Sequence, residues 1–272
     1  MGAYYEMIGE KNKGEKNGAH MNVTWDATGY ERDFSFVPSY GEGVIDLIDV
    51  RPGETCLDLG CGNGALTVAL RERGLDAFGM DASPEMLALA RERHPELRLL
   101  EGDATSFTLE RPVDVVFSNA VLHWIDRERH PEALAHVAAA LRSEGQFVFE
   151  CGGHGCGARI HAALAREFEA RGLAYELPFY FPTIGEYAPL VEAAGMRVTH
   201  ALLFDRPTAL KGPNGMADWI RMFVQRPFEG MAPELADEIV AAAVASLAGE
   251  LLRDGTWYAD YVRLRMRAVK VQ

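Results

Sequence analysis

The residues with the clearest chemical potential lie at positions 55–66, which read TCLDLGCGNGAL. Gly60, Gly62 and Gly64 alternate there, and Asp58 comes shortly before the first of them. Glycine reaches positive φ angles and lets a ligand approach the backbone closely. A helix that begins after such a turn offers free N–H groups to an anion. The stretch therefore predicts a ligand-binding turn between a strand and a helix, with a spacing unlike the G-x-G-x-x-G of dinucleotide-binding folds.

Small or acidic residues also follow the next three predicted strands. The residues at the four strand ends are Gly60–Gly64, Asp81, Asp103 with Ala104, and Ser118 with Asn119. Ligands of open parallel sheets bind just past the carboxyl ends of the strands. A carboxylate such as Asp81 can accept both hydroxyl protons of a ribose, and Asp103 can accept from an exocyclic adenine amine. The four ends therefore predict a single site for an adenosine-type ligand.

The elements that must position these residues alternate between strand and helix. Predicted strands cover 55–59, 77–80, 97–100, 113–117 and 146–151, and predicted helices cover 63–73, a segment from 84 onward, and 132–142. Ser83 is the predicted N-cap of the second helix, with Pro84 at its first position. This alternation indicates a doubly wound, parallel α/β sheet. We assign 51–151 to a cofactor-binding core.

The regularity changes after residue 151. Predicted helices at 159–171, 216–224 and 234–252, and an aromatic loop at 177–182, stand where a simple sheet would need only turns. We assign 152–182 and 207–255 to an inserted, mainly helical substrate cap. A helix at 184–194 and a strand at 198–205 place 183–206 in the core sheet, together with 256–272.

The C-terminal strand alternates strictly between apolar and polar residues over 261–271, which is typical of an antiparallel partner with one polar face. Arg263, Arg265 and Arg267 share that face. We interpret the three arginines as a solvated surface.

The N-terminal residues 1–20 are rich in Gly, Lys, Asn and Glu and predict a flexible lead. His20-Met21 is the dipeptide that a common cloning site leaves behind, so the lead is either derived from cloning or a native arm that closes over the site. Residues 21–50 predict a lid and a first helix. Trp25 and Tyr30 precede that helix, where a lid residue would touch the ligand.

The composition narrows the classes of function. The 272 residues are 48% hydrophobic and 25% charged, as in ordinary globular proteins, and the net charge of −13 disfavours nucleic acid as a partner. The sequence has neither an apolar run of membrane-spanning length nor a signal-peptide pattern. Four cysteines do not form a disulfide framework, so we expect a reduced, cytoplasmic protein.

Taken together, these motifs resemble the class I S-adenosylmethionine-dependent methyltransferases. The resemblance covers about 55–270 and is carried by DLGCGNG at 58–64, Asp81, GDA at 102–104 and DVVFSNAVLHW at 114–124. Trp25 and Tyr30, NAVLHW and the GGHG at 152–155 are most similar to the trans-aconitate methyltransferase group. The family implies a seven-stranded Rossmann-like sheet whose last strand is antiparallel.

The resemblance also implies a cofactor, S-adenosyl-L-methionine, which becomes S-adenosyl-L-homocysteine. The implied cofactor-binding residues are Asp58, Gly60, Cys61, Gly62, Gly64, Asp81, Ala82, Met86, Asp103, Ala104, Ser118, Asn119 and Ala120, with Trp25 and Tyr30 from the lid. In the family, Asp58 and the glycine turn would hold the methionine end, Asp81 the ribose and Asp103-Ala104 the adenine. Residues 118–120 would line the sulfonium end.

The acceptor determines which catalytic groups are needed. Methyl transfer is an in-line displacement, so a carboxylate acceptor needs no base, whereas an alcohol, phenol or amine usually does. His123 is the candidate base or substrate contact, with a hydrogen bond inside its own loop as the alternative. His154 is a second candidate at the same rim.

Further residues are candidates for contacts with the acceptor or with a metal. The candidate acceptor residues are Trp124, Trp219, Arg221 and Phe223, and Arg226 is a further carboxylate partner unless both arginines are surface cations. The residue types of Cys151, His154, Cys156 and His161 suit zinc, but their spacing matches no standard site, so no metal is predicted.

The sequence thus predicts a methyltransferase acting on a small molecule, by O-methylation of a carboxylate or hydroxyl. The alternatives are a non-methylating member of the fold, such as a cyclase or a cofactor-binding module, and a NAD-dependent oxidoreductase, which the glycine spacing opposes. The sequence specifies neither the acceptor nor the oligomeric state.

Overall fold

The structure is a computed structural model and describes residues 43–271. A mixed seven-stranded sheet forms its centre. The strands of this part of the chain are β1 (Thr55–Leu59), β2 (Asp76–Asp81), β3 (Leu99–Glu101), β4 (Val113–Asn119), β5 (Leu141–Gly152), β6 (Met196–Asp205), β7 (Thr208–Ala209), β8 (Leu252–Arg253), β9 (Thr256–Ala259) and β10 (Val262–Lys270). The large sheet has the order β3-β2-β1-β4-β5-β10-β6. Strands β1 to β5 pair in parallel, and β10 is antiparallel to both of its neighbours. The predicted seven strands with an antiparallel last strand are confirmed.

Helices cover both faces of this sheet. They are α1 (Ala65–Glu72), α2 (Pro84–Arg93), α3 (His130–Ala140), α4 (Ala158–Glu169), α5 (Ile184–Ala193), α6 (Gly215–Phe223) and α7 (Pro233–Leu251). The Ser83 hydroxyl accepts the Met86 N–H at 3.2 Å with Pro84 at the first helical position, which confirms the predicted start of α2. Residues 44–48 and α1 pack on one face, and α3 and α5 pack on the other. The sheet is therefore doubly wound, and its central strands β1, β4 and β5 are largely buried.

The boundary between α3 and β5 lies earlier than predicted. The helix ends at Ala140, and Leu141 is already extended and pairs with Val113. Glu144, with a φ of 63°, and a shift of register between Val113 and Val115 mark an irregular start to the strand. A search for apolar runs misses the beginning of this strand, because most residues of the irregular segment are polar.

A second apolar cluster lies apart from the main sheet. It joins α4, α6 and α7 through residues such as Leu164, Trp219 and Leu247. Trp257 and Ala259 of β9 belong to the same cluster, and β9 pairs with β7 and β8 in a small sheet of its own. Of the segment 256–272 that we assigned to the core sheet, only β10 lies in that sheet. Residues 1–42, and with them the predicted lead, Trp25 and Tyr30, lie outside the described part of the chain.

Gly79 in β2 provides a test of the packing that supports the glycine turn. A Cβ at this position would lie 2.6 Å from Cys61 Sγ and 2.9 Å from Leu99 Cδ2. We expect Gly79→Ala to lower the free energy of unfolding by about 1–3 kcal/mol, because the added methyl group overpacks the site. Urea denaturation measures this change.

Gly249 in α7 is the matched control. A Cβ there meets nothing within 4 Å, so Gly249→Ala is expected to raise the free energy of unfolding by about 0.5–1 kcal/mol through its better helix propensity. Equal effects of the two substitutions would contradict the proposed packing.

Candidate functional site

The carboxyl ends of β1, β2, β3 and β4 open into one cleft of about 1160 Å³, a volume that includes its open mouth. Its lining residues are Leu59, Gly60, Cys61, Gly62, Asn63, Leu66, Asp81, Ala82, Met86, Gly102, Asp103, Ala104, Thr105, Asn119, Ala120, Val121, Trp124, Ile125, Asp126 and Arg129. The structure thus brings residues from all four predicted strand ends together. Thr105, Asp126 and Arg129 line the cleft without having been predicted, because no spacing or motif marks them.

The turn after β1 is held tightly against the turn after β4. The N–H groups of Gly60 and Cys61 both donate to the Met80 carbonyl, at 2.7 and 3.0 Å. Gly60 has a φ of 78°, and a Cβ there would lie only 2.1 Å from Val121 Cγ2. Glycine is therefore required at position 60 both by its backbone angle and by this contact. On the other side of the contact, Ala120 also has a positive φ, 60°, which is unusual for alanine and typical of functional turns.

Asp81 is fixed in the cleft by backbone donors. Gly62 N–H donates to its Oδ2 and Ser83 N–H to its Oδ1, both at 2.8 Å. Burial raises the pKa of this carboxyl, and the backbone hydrogen bonds oppose that shift. Each carboxylate oxygen has a further lone pair. Asp81 is therefore oriented to accept hydrogen bonds from a pair of ligand hydroxyls.

Asp103 presents one carboxylate oxygen to the cleft in a similar way. The Thr105 N–H and hydroxyl both donate to Oδ1, at 2.7 and 2.5 Å. Oδ2 is the oxygen left for a donor on a ligand, and Ala104 lines the wall beside it. Arg129 donates to the Thr105 hydroxyl from the far side and completes this edge of the site.

Three of the predicted cofactor residues lie behind the cleft wall. Ser118 is fully buried and donates its hydroxyl to the Leu59 carbonyl at 2.8 Å, so it joins β4 to β1. Gly64 caps α1, and its missing Cβ leaves room for Leu97. Asp58 is buried beneath the glycine turn.

Asp58 has an unusually high pKa for a carboxyl group. Its Oδ2 accepts the Thr67 hydroxyl at 2.6 Å. Burial raises the pKa of Asp58 to about 7, the Thr67 hydrogen bond opposes the shift, and the charge of Asp81 adds to it. A cation bound nearby would reverse this shift, because it favours the ionised carboxylate.

His123 follows β4 in a one-turn 3₁₀ helix, Leu122–Trp124, between the cleft residues Val121 and Trp124; it is buried and does not itself line the cleft. The Gly152 N–H donates to His123 Nδ1 at 3.2 Å. Burial lowers the pKa of His123 well below its ordinary value, and the charges of Arg263 and His130 lower it further. The ring is therefore neutral, with its proton on Nε2, since a backbone N–H can only donate. In this state His123 offers a donor, not a base.

Aromatic rings enclose His123. The ring centroids of Trp124, Phe179 and Phe181 lie 5.3, 6.1 and 5.9 Å from that of His123. Phe223 of α6 lies 6.1 Å from Trp124. Of the predicted acceptor residues, Trp124 therefore contacts His123 directly, and Phe223 lies one ring further out.

The other predicted acceptor residues have different surroundings. Trp219 is buried and donates from Nε1 to the Tyr261 hydroxyl at 2.5 Å. Arg221 is exposed and pairs with Asp237 at 2.9 Å, so the structure does not bring it to the site. His154 is also exposed and is not among the residues that line the cleft. Arg226 pairs at 3.1 Å with Asp126, which does line the cleft.

Within residues 43–271, no group of three or more His, Cys, Asp or Glu side chains could hold a metal ion. The four cysteines are buried and unpaired, and burial raises the pKa of each thiol. None of the helices in this part of the chain combines the length and apolar character that a bilayer crossing requires.

Comparisons with known proteins place the site in context. Residues 56–145 match the family model described as a methyltransferase domain. The chain is 33% identical over 257 residues to an uncharacterized methyltransferase of Schizosaccharomyces pombe, covering 90% of this chain and 98% of that protein. It is 35% identical over 187 residues to a trans-aconitate 2-methyltransferase of Mycobacterium sp. (strain KMS), covering 64% and 70%. A putative methyltransferase of Bacillus halodurans shares the fold, with a TM-score of 0.58, 14% identity, and coverage of 86% and 100%.

The pKa of Asp58 leads to a prediction for the ligand-free protein. Unfolded aspartate ionises near pH 4, whereas folded Asp58 stays protonated up to about pH 7. Folding therefore requires this carboxyl to take up a proton between these values, and its contribution to stability falls as the pH rises through that window. An asparagine side chain does not titrate and would carry no such cost.

We expect the free energy of unfolding of Asp58→Asn, relative to wild type, to rise between pH 5 and pH 8, by about 2.6 kcal/mol. Urea denaturation at several pH values measures this difference, and the other titrating groups cancel in it. A difference that stays constant with pH would show that Asp58 is ionised in the ligand-free protein.

Proposed function

The chain belongs to the class I S-adenosylmethionine-dependent methyltransferases, and from that premise we propose that it methylates a carboxylate oxygen of a small molecule. The observation that carries the choice of acceptor is the hydrogen bond from the Gly152 N–H to His123 Nδ1, which leaves His123 Nε2 as a donor. A carboxylate already has the lone pair that attacks the methyl group, so its methylation needs a hydrogen-bond donor to orient it and no base to remove a proton. A relative named for trans-aconitate, itself a carboxylate, supports this choice.

The residues of the cleft fit the cofactor. Asp81 would accept from the ribose hydroxyls, and Asp103 with Ala104 would contact the adenine. The raised pKa of Asp58 suits a site that receives the ammonium group of a methionine moiety, because that cation would stabilise the carboxylate. Asn119 supports the fit further, since its Oδ1 is buried without a hydrogen-bond partner among the described residues. Bound S-adenosylmethionine supplies an electrophilic methyl group on a sulfonium.

The chain itself contributes alignment and exclusion of water. The His123 Nε2–H would donate to one oxygen of the acceptor carboxylate and leave the other oxygen to attack. Trp124, Phe179 and Phe223 surround this position with apolar surface, which keeps competing water out. We propose that 152–182 and 207–255 form the cap that closes over the acceptor. Holding the two reactants in line is the main way in which such a site accelerates transfer.

The product's chemistry tests the choice of acceptor atom. We expect incubation with S-adenosylmethionine and a panel of small carboxylic acids to give a methyl ester, identified by mass and by its release in mild alkali. The matching acid amides serve as controls and should stay unmodified. A methylated product that survives alkali would show that transfer goes to another atom.

The neutral state of His123 predicts an unusual pH dependence. With a carboxylate acceptor and saturating S-adenosylmethionine, which would hold Asp58 ionised, kcat/KM for the acceptor should stay flat between about pH 6.5 and 9, because neither His123 nor the acceptor titrates there. His123→Ala should lower kcat/KM by about 10- to 100-fold, as expected for a lost hydrogen bond to a charged group. S-adenosylhomocysteine affinity, measured by calorimetry, should not change.

His123→Gln, which restores an N–H donor, is the matched variant and should recover part of the loss. A wild-type profile that rises through a pKa near 6 to 7 and becomes flat in His123→Ala would instead identify His123 as a general base.

A further inference from the structure

A buried ionic cluster lies beside His123 and joins β5 to β10. Glu150 of β5 is fully buried and faces three guanidinium groups, those of Arg206, Arg263 and Arg265. The prediction that the arginine face of β10 is solvated is therefore wrong. Arg263 is only 5% exposed. The alternating pattern shows which residues share a face but not what covers that face.

Two of the three arginines donate hydrogen bonds to the Glu150 carboxylate. Arg265 donates to Oε2 from Nε and Nη2, at 2.9 and 2.7 Å, and donates its third group to the Gly43 carbonyl. Arg206 donates to Oε1 at 2.7 Å. Arg263 approaches Oε1 at 3.4 Å without hydrogen-bond geometry, and its Nε has no partner among the described residues. Glu150 thus fixes Arg265 and Arg206, whereas Arg263 meets it only as an ion pair through Nε, at 3.4 Å, and donates no hydrogen bond to a described residue.

The other titratable groups near Arg263 are uncharged at neutral pH. Burial raises the pKa of Tyr261 to about 12 and raises those of the Cys151 and Cys156 thiols, while His123 is held neutral. One carboxylate and three guanidinium groups leave an excess of positive charge in a buried place. A buried cation without a hydrogen-bonded counter-ion is costly, and guanidinium groups bind carboxylates in a bidentate manner.

Arg263 does not line the cleft, but it lies close to His123, the residue proposed to hold the acceptor. Arg263 is directly opposite Gly152 in the antiparallel pair of β10 and β5. Gly152 also holds His123 through its N–H, and a Cβ there would lie 2.4 Å from the Phe181 ring. Arg263, His123 and Phe181 therefore all meet at one glycine, at the carboxyl edge of the sheet. The Arg263 guanidinium lies over the Tyr261 ring at 5.1 Å, which limits its movement.

We propose that Arg263 binds a second carboxylate of the acceptor, separate from the carboxylate that is methylated, and so selects acceptors with two or more carboxylates over monocarboxylates. This inference rests on the proposed function, because His123 would hold the first carboxylate. Arg263 is then a specificity-determining residue, positioned by Tyr261 and Glu150. The aromatic rings between the two anion-binding groups would contact the carbon chain that joins the carboxylates.

The test compares a dicarboxylic acid with its monoamide, which has the same shape and one charge fewer. We expect wild type to prefer the diacid by at least about tenfold in kcat/KM, the size of one charge-assisted hydrogen-bonded contact. Arg263→Gln should abolish this preference by raising the KM for the diacid, with little effect on the monoamide. Arg267→Gln is the matched control, because Arg267 is on the same strand and face but pairs at 3.9 Å with Asp49, at the opposite end of the strand.

Two further measurements keep the outcome decisive. If Arg263→Gln does not fold, Arg263→Lys should fold and retain a reduced preference for the diacid. The thermal midpoint of the S-adenosylhomocysteine complex should rise with the diacid in wild type and in Arg267→Gln, but not in Arg263→Gln.

The outcomes separate the two proposals. An unchanged preference in Arg263→Gln, or the same loss in Arg267→Gln, would overturn the role of Arg263. If no carboxylic acid is esterified but the diacid still raises the midpoint through Arg263, the anion site stands and the proposed carboxylate methylation fails. If the diacid neither reacts nor raises the midpoint, both proposals fail.

Discussion

The contact between Gly60 and Val121 is the constraint on which the rest of the site depends. It fixes the turn after β1 against the turn after β4, because the Val121 side chain occupies the space that any Cβ at position 60 would need. The same turn is joined to β2 through Met80 and Asp81. The three strand ends are thus held together by close packing and by hydrogen bonds within the chain. A site that the chain itself holds in place loses little free energy to reorganisation on binding.

The charges of the site follow from burial. Asp58 and His123 are both held near or in their neutral forms, by burial first and by neighbouring charges second. The charged side chains beside His123 are the arginines around Glu150. On the proposed account, the cofactor's ammonium group would meet a carboxylate that ionises on binding, and the acceptor's carboxylates would meet two preformed donors. The methyl group would move between these two regions, in a part of the site lined by aromatic rings.

The sequence was sufficient for the sheet and for most of the cleft. Ser83 with Pro84 marked the start of α2 by capping chemistry that is local to a few residues. Asp81 and Asp103 could be placed because parallel strands bring their carboxyl ends to one edge of a sheet, whatever the details of packing. Rules of this kind act within one element or follow from topology. For that reason they can be applied to a single chain.

The parts that could not be predicted depend on which elements meet in space. Arg221 was assigned to the acceptor because of its place on α6, but its partner Asp237 belongs to α7. Ser118 follows the predicted strand as a ligand residue would, yet it lies inside β4, and its hydroxyl donates to the Leu59 carbonyl of the neighbouring strand. Glu150 and Arg263 are far apart in sequence, and only the pairing of β5 with β10 shows that they form an ion pair.

The measurement that tests this account most directly is a calorimetric titration with S-adenosylmethionine, S-adenosylhomocysteine and NAD. It compares wild type with Asp81→Ala and with Asp76→Ala, a control at the exposed opposite end of the same strand. The account predicts that wild type and Asp76→Ala bind both sulfur nucleosides and not NAD, and that Asp81→Ala raises both dissociation constants by at least about tenfold. Tighter binding of NAD, or affinities that do not depend on Asp81, would contradict it.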